Sequence, residues 1–141
     1  MIHDNVAIQL LETAKKARLN AYAPYSHYHV GAALLSKNGK VYIGCNVENA
    51  SFGATNCAER TALFSAIADG VRDFETIAIA GFRGEILDES VMPCGVCLQA
   101  LSEFCTKDFS VILAYGETFR VLTLGELFPN AFSSKNLLKT L

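Results

Sequence analysis

Three of the five cysteines in this chain stand at the beginning of predicted helices, and this placement restricts the fold more than any other feature. Cys57 opens one helical pattern, and Cys94 and Cys97 lie at the start of another. A single predicted strand separates the two helices. Because right-handed connections bring successive helix starts to one edge of a sheet, the three thiols are expected to converge there.

The hydrophobic pattern predicts the element order αββαβαββ. Its elements are a helix that is capped by Asp4 and runs to about Asn20, strands 28–35 and 41–45, a helix over 57–69, a strand over 76–80, a helix over 94–105, and strands 110–114 and 119–123. Asn38-Gly39 is a strong hairpin signal, so the first two strands are expected to pair antiparallel. The four residues 115–118 are too few for a crossover, so the last two strands are also expected to be antiparallel. The pattern predicts a three-layer α/β/α sandwich with a mixed five-stranded sheet.

Composition narrows the possible partners and compartment. Twelve basic and fourteen acidic residues leave a net charge of −2, which offers no electrostatic footprint for a nucleic-acid backbone. We expect no secretion signal and no membrane segment, because no apolar run approaches about 20 residues. An odd number of cysteines in such a chain favours reduced thiols or a metal, and hence the cytoplasm. With no linker or repeat, residues 1–141 are expected to form a single domain.

The three cysteines and Glu59 carry the predicted chemistry. A helix start favours thiolate over thiol, and a zinc site with three protein ligands leaves a position for water. Glu59 lies two residues after Cys57, so both can face the metal only if Cys57 caps the helix. Zinc lowers the pKa of bound water from about 15.7 toward roughly 7, and a neighbouring carboxylate can accept its proton.

Two other readings of the cysteines stay open at this point. Cys94 and Cys97 alone could be a redox pair at a helix start. A purely structural zinc site would need a fourth ligand, and the candidates are Cys45, Cys105, His27 and His29. The first reading leaves Cys57 and Glu59 without a purpose. The second competes with ordinary core positions for the two cysteines and surface positions for the histidines.

Several stretches resemble the small, homotetrameric cytidine deaminases, from the first helix to residue 134. They are AYAPYSHYHVGAALL, GCNVENASFGATNCAERTALF, PCGVC and FPNAFSS, and the cysteine–glutamate pattern is that of the zinc base deaminases. The resemblance implies one zinc per chain, held by Cys57, Cys94 and Cys97. It also implies hydrolytic deamination of cytidine and deoxycytidine to uridine and deoxyuridine, in pyrimidine salvage. Ammonia is released when zinc-bound hydroxide attacks C4, with Glu59 as proton shuttle.

The same resemblance assigns the remaining site residues. Asn46 and Glu48, two apart just past a strand end, match the pair that binds the ribose hydroxyls. Ala58 matches a residue whose backbone N–H binds the pyrimidine carbonyl, and Tyr28 matches an aromatic that lines the pocket. Phe132 matches a residue that closes the site of a neighbouring subunit, so sites are expected to be shared within a homotetramer.

One further residue, Arg60, is expected at the metal site, and two positions differ from the usual family sequence. Arg60 lies three residues after Cys57, where a hydrogen bond to the thiolate would offset the negative charge of three thiolates around a divalent ion; an ordinary surface arginine is the alternative. Leu98 replaces a usual arginine, which puts in doubt any salt link made there. Tyr28 replaces the commoner phenylalanine, and its hydroxyl beside the pocket could shift substrate preference.

Three other functions remain as alternatives. A zinc-stabilised binding module would have the same ligands without turnover, and ammonia release from cytidine separates the two. A related antibiotic-nucleoside deaminase is disfavoured by the stretch NCAERTAL and the FSS tail. A deaminase of RNA or DNA bases is disfavoured because the chain offers no basic channel.

Overall fold

The computed structural model describes residues 2–138, and its sheet is mixed, as predicted. The strands are β1 (Tyr28–Ser36), β2 (Val41–Cys45), β3 (Phe74–Arg83), β4 (Ile86–Leu87), β5 (Ser110–Tyr115) and β6 (Thr118–Thr123). The helices are α1 (Asp4–Ala17), α2 (Ala58–Ala68), α3 (Gly95–Phe104), α4 (Leu124–Leu127) and α5 (Ser134–Leu137), with 3₁₀ turns at Arg18–Asn20 and Phe52–Ala54. The predicted domain limits, residues 1 and 141, lie outside the described residues.

The main path of the sheet has the strand order β2-β1-β3-β5-β6. The β1–β2 and β5–β6 pairs are antiparallel, as the short connections predict, and β3 and β5 are parallel. A sixth strand, β4, was missed by the prediction of five strands. The chain turns at Gly84, with φ of 59°, and Ile86 and Leu87 pair back onto β3. A strand of two residues has no periodicity that a sequence pattern can reveal.

Helices cover both faces of the sheet, which confirms the three-layer architecture. Alternate residues of a strand point to opposite faces. In β1, Ala33 packs in the core formed with α1, whereas Ala32 and Leu34 pack in the core formed with α2 and α3. Odd-numbered residues of β3, such as Ile77, also face α2 and α3. By the same alternation, Tyr28 in β1 lies on the α2–α3 face.

The residue that caps the first helix differs from the predicted one. Asp4 was predicted to cap α1, but the cap is His3, whose Nδ1 accepts a hydrogen bond from the N–H of Asn5 at 3.2 Å. Cys57 and Cys94 are the N-caps of α2 and α3, and both have extended backbone dihedrals. Within residues 2–138, no helix combines the length and apolarity needed to cross a membrane.

Candidate active site

Three thiols meet at the starts of α2 and α3. The Sγ atoms of Cys57 and Cys94 are 3.6 Å apart, and those of Cys94 and Cys97 are 3.5 Å apart. All three sulfurs lie within 4.8 Å of one another, and Cys97 is buried. Among residues 2–138, no other histidine, cysteine, aspartate or glutamate joins this group. The four candidates for a fourth ligand are therefore outside it.

The donor set fits zinc. Three free thiols are ligands that zinc prefers, at about 2.3 Å from the metal, and tetrahedral geometry then places sulfurs about 3.8 Å apart. The measured separations of 3.5 and 3.6 Å are close to that value. A metal held by these three thiols would have a fourth coordination position for a water or a substrate atom.

Glu59 lies beside the three thiols. Its side chain is only 4% exposed, and its Oε2 is 3.6 Å from Sγ of Cys97. Because Cys57 is the cap and not yet helical, Glu59 in the first turn of α2 can face the same side. Burial raises the pKa of Glu59 to about 7. A carboxyl group with this pKa both accepts and donates a proton near neutral pH.

Arg60 contacts the thiol cluster. Its Nη2 donates to Sγ of Cys57 at 3.3 Å. Hydrogen bonds from Cys97 and from Arg60 lower the pKa of Cys57 to about 5, whereas the contact with Cys57, together with burial, raises the pKa of Cys97. The arrangement favours a thiolate at Cys57, and it differs from that of a surface arginine directed into solvent.

Comparison with known proteins agrees with this geometry. Residues 4–113 match the family model of the cytidine and deoxycytidylate deaminase zinc-binding region. The chain belongs to this deaminase family. A cytidine deaminase of Sporosarcina psychrophila is 44% identical over 130 residues, which cover 92% of this chain and 93% of that protein.

Other relatives of this deaminase extend the comparison. The crystal structure of a cytidine deaminase from Burkholderia pseudomallei superposes with a TM-score of 0.80 at 46% identity, covering 94% of this chain and 100% of that one. A blasticidin-S deaminase of Bacillus cereus is 32% identical over 126 residues, which cover 86% of this chain and 89% of that protein.

The segment that contains Asn46 and Glu48 runs next to the three thiols of this deaminase. Val47 and Asn56 exchange two backbone hydrogen bonds of 2.9 Å each. Asn56 immediately precedes Cys57. The bridge therefore brings Asn46 and Glu48 to the sheet edge at which the thiols lie.

Both side chains have partners within the chain. Asn46 is buried; its Nδ2 donates to the carbonyl of Tyr28 at 2.7 Å, and its Oδ1 accepts from the N–H of Val30 at 2.9 Å. Glu48 Oε1 accepts from the N–H groups of Tyr25 and Ser26 at 3.0 and 3.1 Å, and the Ser26 hydroxyl donates to Oε2. An amide and a carboxylate have further hydrogen-bonding capacity, which a ligand can use.

Tyr28 lies on the same face of the sheet as the thiols, and its hydroxyl donates to Oδ2 of Asp88 at 2.6 Å. Burial, this hydrogen bond and the charge of Asp88 raise the pKa of Tyr28, and the charge of Glu59 contributes in the same direction. The hydroxyl that was expected beside the pocket is therefore bound to Asp88. Sequence reasoning missed Asp88, and no local motif marks it.

The structure also places Ala58, Phe132 and Leu98. Ala58 is buried and is the first residue of α2, where backbone N–H groups have no acceptor within the helix. The Phe132 side chain is 54% exposed, and its carbonyl accepts from Nε2 of Gln99 at 2.8 Å, which ties the tail to α3. Leu98 packs in the core with α2 and the sheet, so this position is a core position.

Proposed function

We propose that this chain is a zinc-dependent cytidine deaminase that converts cytidine and deoxycytidine, with water, to uridine and deoxyuridine and ammonia. The observation that carries the proposal is a buried carboxyl group, Glu59, beside three clustered thiols. These thiols would hold a zinc ion and leave its fourth coordination position to water. The identity of 44% to a named cytidine deaminase over most of both chains supports the substrate.

Cys57, Cys94 and Cys97 would hold one zinc ion per chain. When bound, zinc supplies Lewis-acid activation of a water for attack at C4 of the pyrimidine. Arg60, 3.3 Å from Sγ of Cys57, would offset the excess negative charge of three thiolates. This offset keeps the metal electrophilic.

Glu59 would carry the protons of the reaction. Its carboxylate would accept a proton from the attacking water and deliver it to N3. It would then take the remaining proton from the new hydroxyl at C4 and deliver it to the departing amine, so that the C4 carbonyl forms as ammonia leaves. Its position 3.6 Å from Sγ of Cys97 suits a group that must take and give protons at the reacting atoms. The low exposure of Glu59 keeps bulk water away from these transfers.

The remaining contacts would bind the substrate. The backbone N–H of Ala58 at the start of α2 would bind the pyrimidine carbonyl, and Tyr28 would form an aromatic wall. Asn46 and Glu48 would bind the sugar hydroxyls with the capacity left after their contacts in the chain. The substrate is a small nucleoside, with neither nucleic acid nor membrane as partner, and the setting is pyrimidine salvage in the cytoplasm.

We place the chain in a homotetramer with shared sites. The exposed ring of Phe132 and the tether from Gln99, which ties the tail to the helix of Cys97, support this assembly. Phe132 would cover the pocket of a neighbouring subunit.

Ammonia release from cytidine by the zinc-loaded protein tests the proposal. Glu59→Gln keeps the shape of the side chain but cannot carry a proton, so turnover should fall by at least about 10²–10⁴-fold. Zinc content and the melting temperature should stay close to those of wild type. Ammonia release from blasticidin S but not from cytidine would favour the antibiotic deaminase, and release from neither would favour a binding module.

A further inference from the structure

Tyr28 and Asp88 are sixty residues apart in the chain, yet their side chains meet at the sheet edge that carries the thiols. Tyr28 is the first residue of β1, and its carbonyl accepts from Asn46, just past the end of β2. Val47, which follows Asn46, forms a β-bridge with Asn56, and Asn56 immediately precedes Cys57. The Tyr28 ring therefore lies on the thiol side of the sheet, where it would form the aromatic wall proposed above.

Asp88 joins this tyrosine to the loop that leads to Cys94. One carboxylate oxygen, Oδ2, accepts from the Tyr28 hydroxyl at 2.6 Å. The other, Oδ1, accepts from the N–H and the hydroxyl of Ser90 at 2.9 and 2.7 Å. The N–H of Asp88 donates to the carbonyl of Gly81 in β3 at 2.8 Å. Asp88 thus fixes the loop to the sheet and the tyrosine to the loop.

The main chain of Tyr28 is held from the other side. Its N–H donates to the hydroxyl oxygen of Ser26 at 3.0 Å, and that hydroxyl in turn donates to Glu48. With the bond from Asn46 to its carbonyl, Tyr28 connects both proposed sugar-binding residues to Asp88. One residue therefore links the sugar side of the pocket to the loop of a metal ligand.

The fold leaves space for the hydroxyl of Tyr28. A Cβ atom at Gly81 would lie 2.3 Å from that hydroxyl oxygen, so a side chain there would displace the ring. The guanidinium carbon of Arg83 lies 4.8 Å from the ring centroid. The ring is thus held by a hydrogen bond at its end and by a cation against its face.

We propose that Asp88 is a positioning residue for nucleoside binding, which acts through the Tyr28 hydroxyl to fix the aromatic wall of the pocket relative to the Cys94 loop. This inference rests on the proposed function, because the wall matters only if a nucleoside binds there. Phenylalanine at position 28 would keep the aromatic ring but lose the anchor.

The test compares Tyr28→Phe, Asp88→Asn and the double variant in zinc-loaded protein. Loss of one hydrogen bond predicts that Tyr28→Phe raises KM for cytidine about 3- to 10-fold, with a smaller change in kcat. Zinc content should not change. Asp88→Asn leaves one amide oxygen where two carboxylate oxygens accept hydrogen bonds from Tyr28 and from Ser90, so the two sides cannot both keep an acceptor, and KM should rise. The double variant should match the more affected single variant, because both changes act on the same contact.

Two further variants act as controls. Tyr115→Phe removes a hydroxyl from an exposed tyrosine whose ring also faces a guanidinium, that of Arg120 at 5.1 Å, and its KM should equal that of wild type. Ser90→Ala removes one donor to Oδ1 of Asp88 and leaves the contact with Tyr28. Because Asp88 acts through the Tyr28 hydroxyl, the KM of Ser90→Ala should stay below that of Tyr28→Phe, and Ser90→Ala should not raise KM further in a Tyr28→Phe background.

Equal KM values for Tyr28→Phe and Tyr115→Phe would overturn the inference while wild type still deaminates cytidine. Independent, multiplying effects of Tyr28→Phe and Asp88→Asn would also overturn it. If Asp88→Asn does not fold, Tyr28→Phe against Tyr115→Phe decides the question alone. A wild-type protein that releases no ammonia from cytidine refutes the proposed function, and this inference with it.

Discussion

Gly44 in β2 is the position at which one added methyl group should disturb the whole site. Helix α2 crosses the strand there so closely that a Cβ atom would lie 2.2 Å from the carbonyl oxygen of Ala58 and 2.5 Å from the backbone nitrogen of Ala62. Both are backbone atoms of α2, so no flexible side chain can move aside. Gly44→Ala must therefore displace the helix or the strand.

The required displacement is about 1.2 Å, the difference between 2.2 Å and an ordinary contact of 3.4 Å. Overpacking of this kind costs about 1–3 kcal/mol, which corresponds to a fall in Tm of roughly 3–10 °C for a chain of this size. The first turn of α2 carries Glu59, and Cys57 is its cap. Misplacement of reacting groups by about 1 Å can cost about 100-fold in rate, so kcat/KM should fall more than stability alone explains.

Thermal unfolding, zinc content and kcat/KM on cytidine measure these effects. Gly53→Ala is the matched control, because no atom lies within 4 Å of a Cβ built at Gly53, and its Tm should stay within about 2 °C of wild type. If Gly44→Ala and Gly53→Ala have the same Tm and the same kcat/KM, the close approach of α2 to β2 is wrong.

Three other predictions concern the metal, its charge and the assembly. Metal analysis should find about one zinc per chain, and Cys94→Ala should lose it because two thiols remain; full zinc retention would contradict the ligand set. Arg60→Gln removes a positive charge beside the thiolates, so acidic groups of the site should titrate at higher pH. The rate should fall and its pH optimum should move upward with zinc retained, whereas an unchanged pH profile would exclude this role. A mixture of Glu59→Ala and Phe132→Ala under subunit exchange should be more active than the sum of the two variants, because some hybrid sites contain both native residues. Activity equal to their average, or a monomer in sedimentation, would refute shared sites.

The sequence alone was sufficient for the parts of the site that lie within one turn of a helix start. The spacing from Cys57 to Glu59, and from Cys94 to Cys97, follows from the geometry of a capped helix, which is the same in any protein. The antiparallel strand pairs were predictable for a similar reason, because a connection as short as residues 115–118 permits only one direction.

Tertiary structure decided the contacts that depend on the order of strands and on side-chain rotamers. The spacing of Asn46 and Glu48 predicts that both side chains face one ligand, but it does not reveal that Asn46 also binds the backbone of β1 or that Glu48 also binds the loop of residues 25–26. The contact between Tyr28 and Asp88 forms only because β1 and β3 are neighbours in the sheet. Leu98 is a core residue because α3 packs against the sheet at that point. Such contacts join segments that are far apart along the chain, and no local periodicity encodes which segments the sheet will bring together.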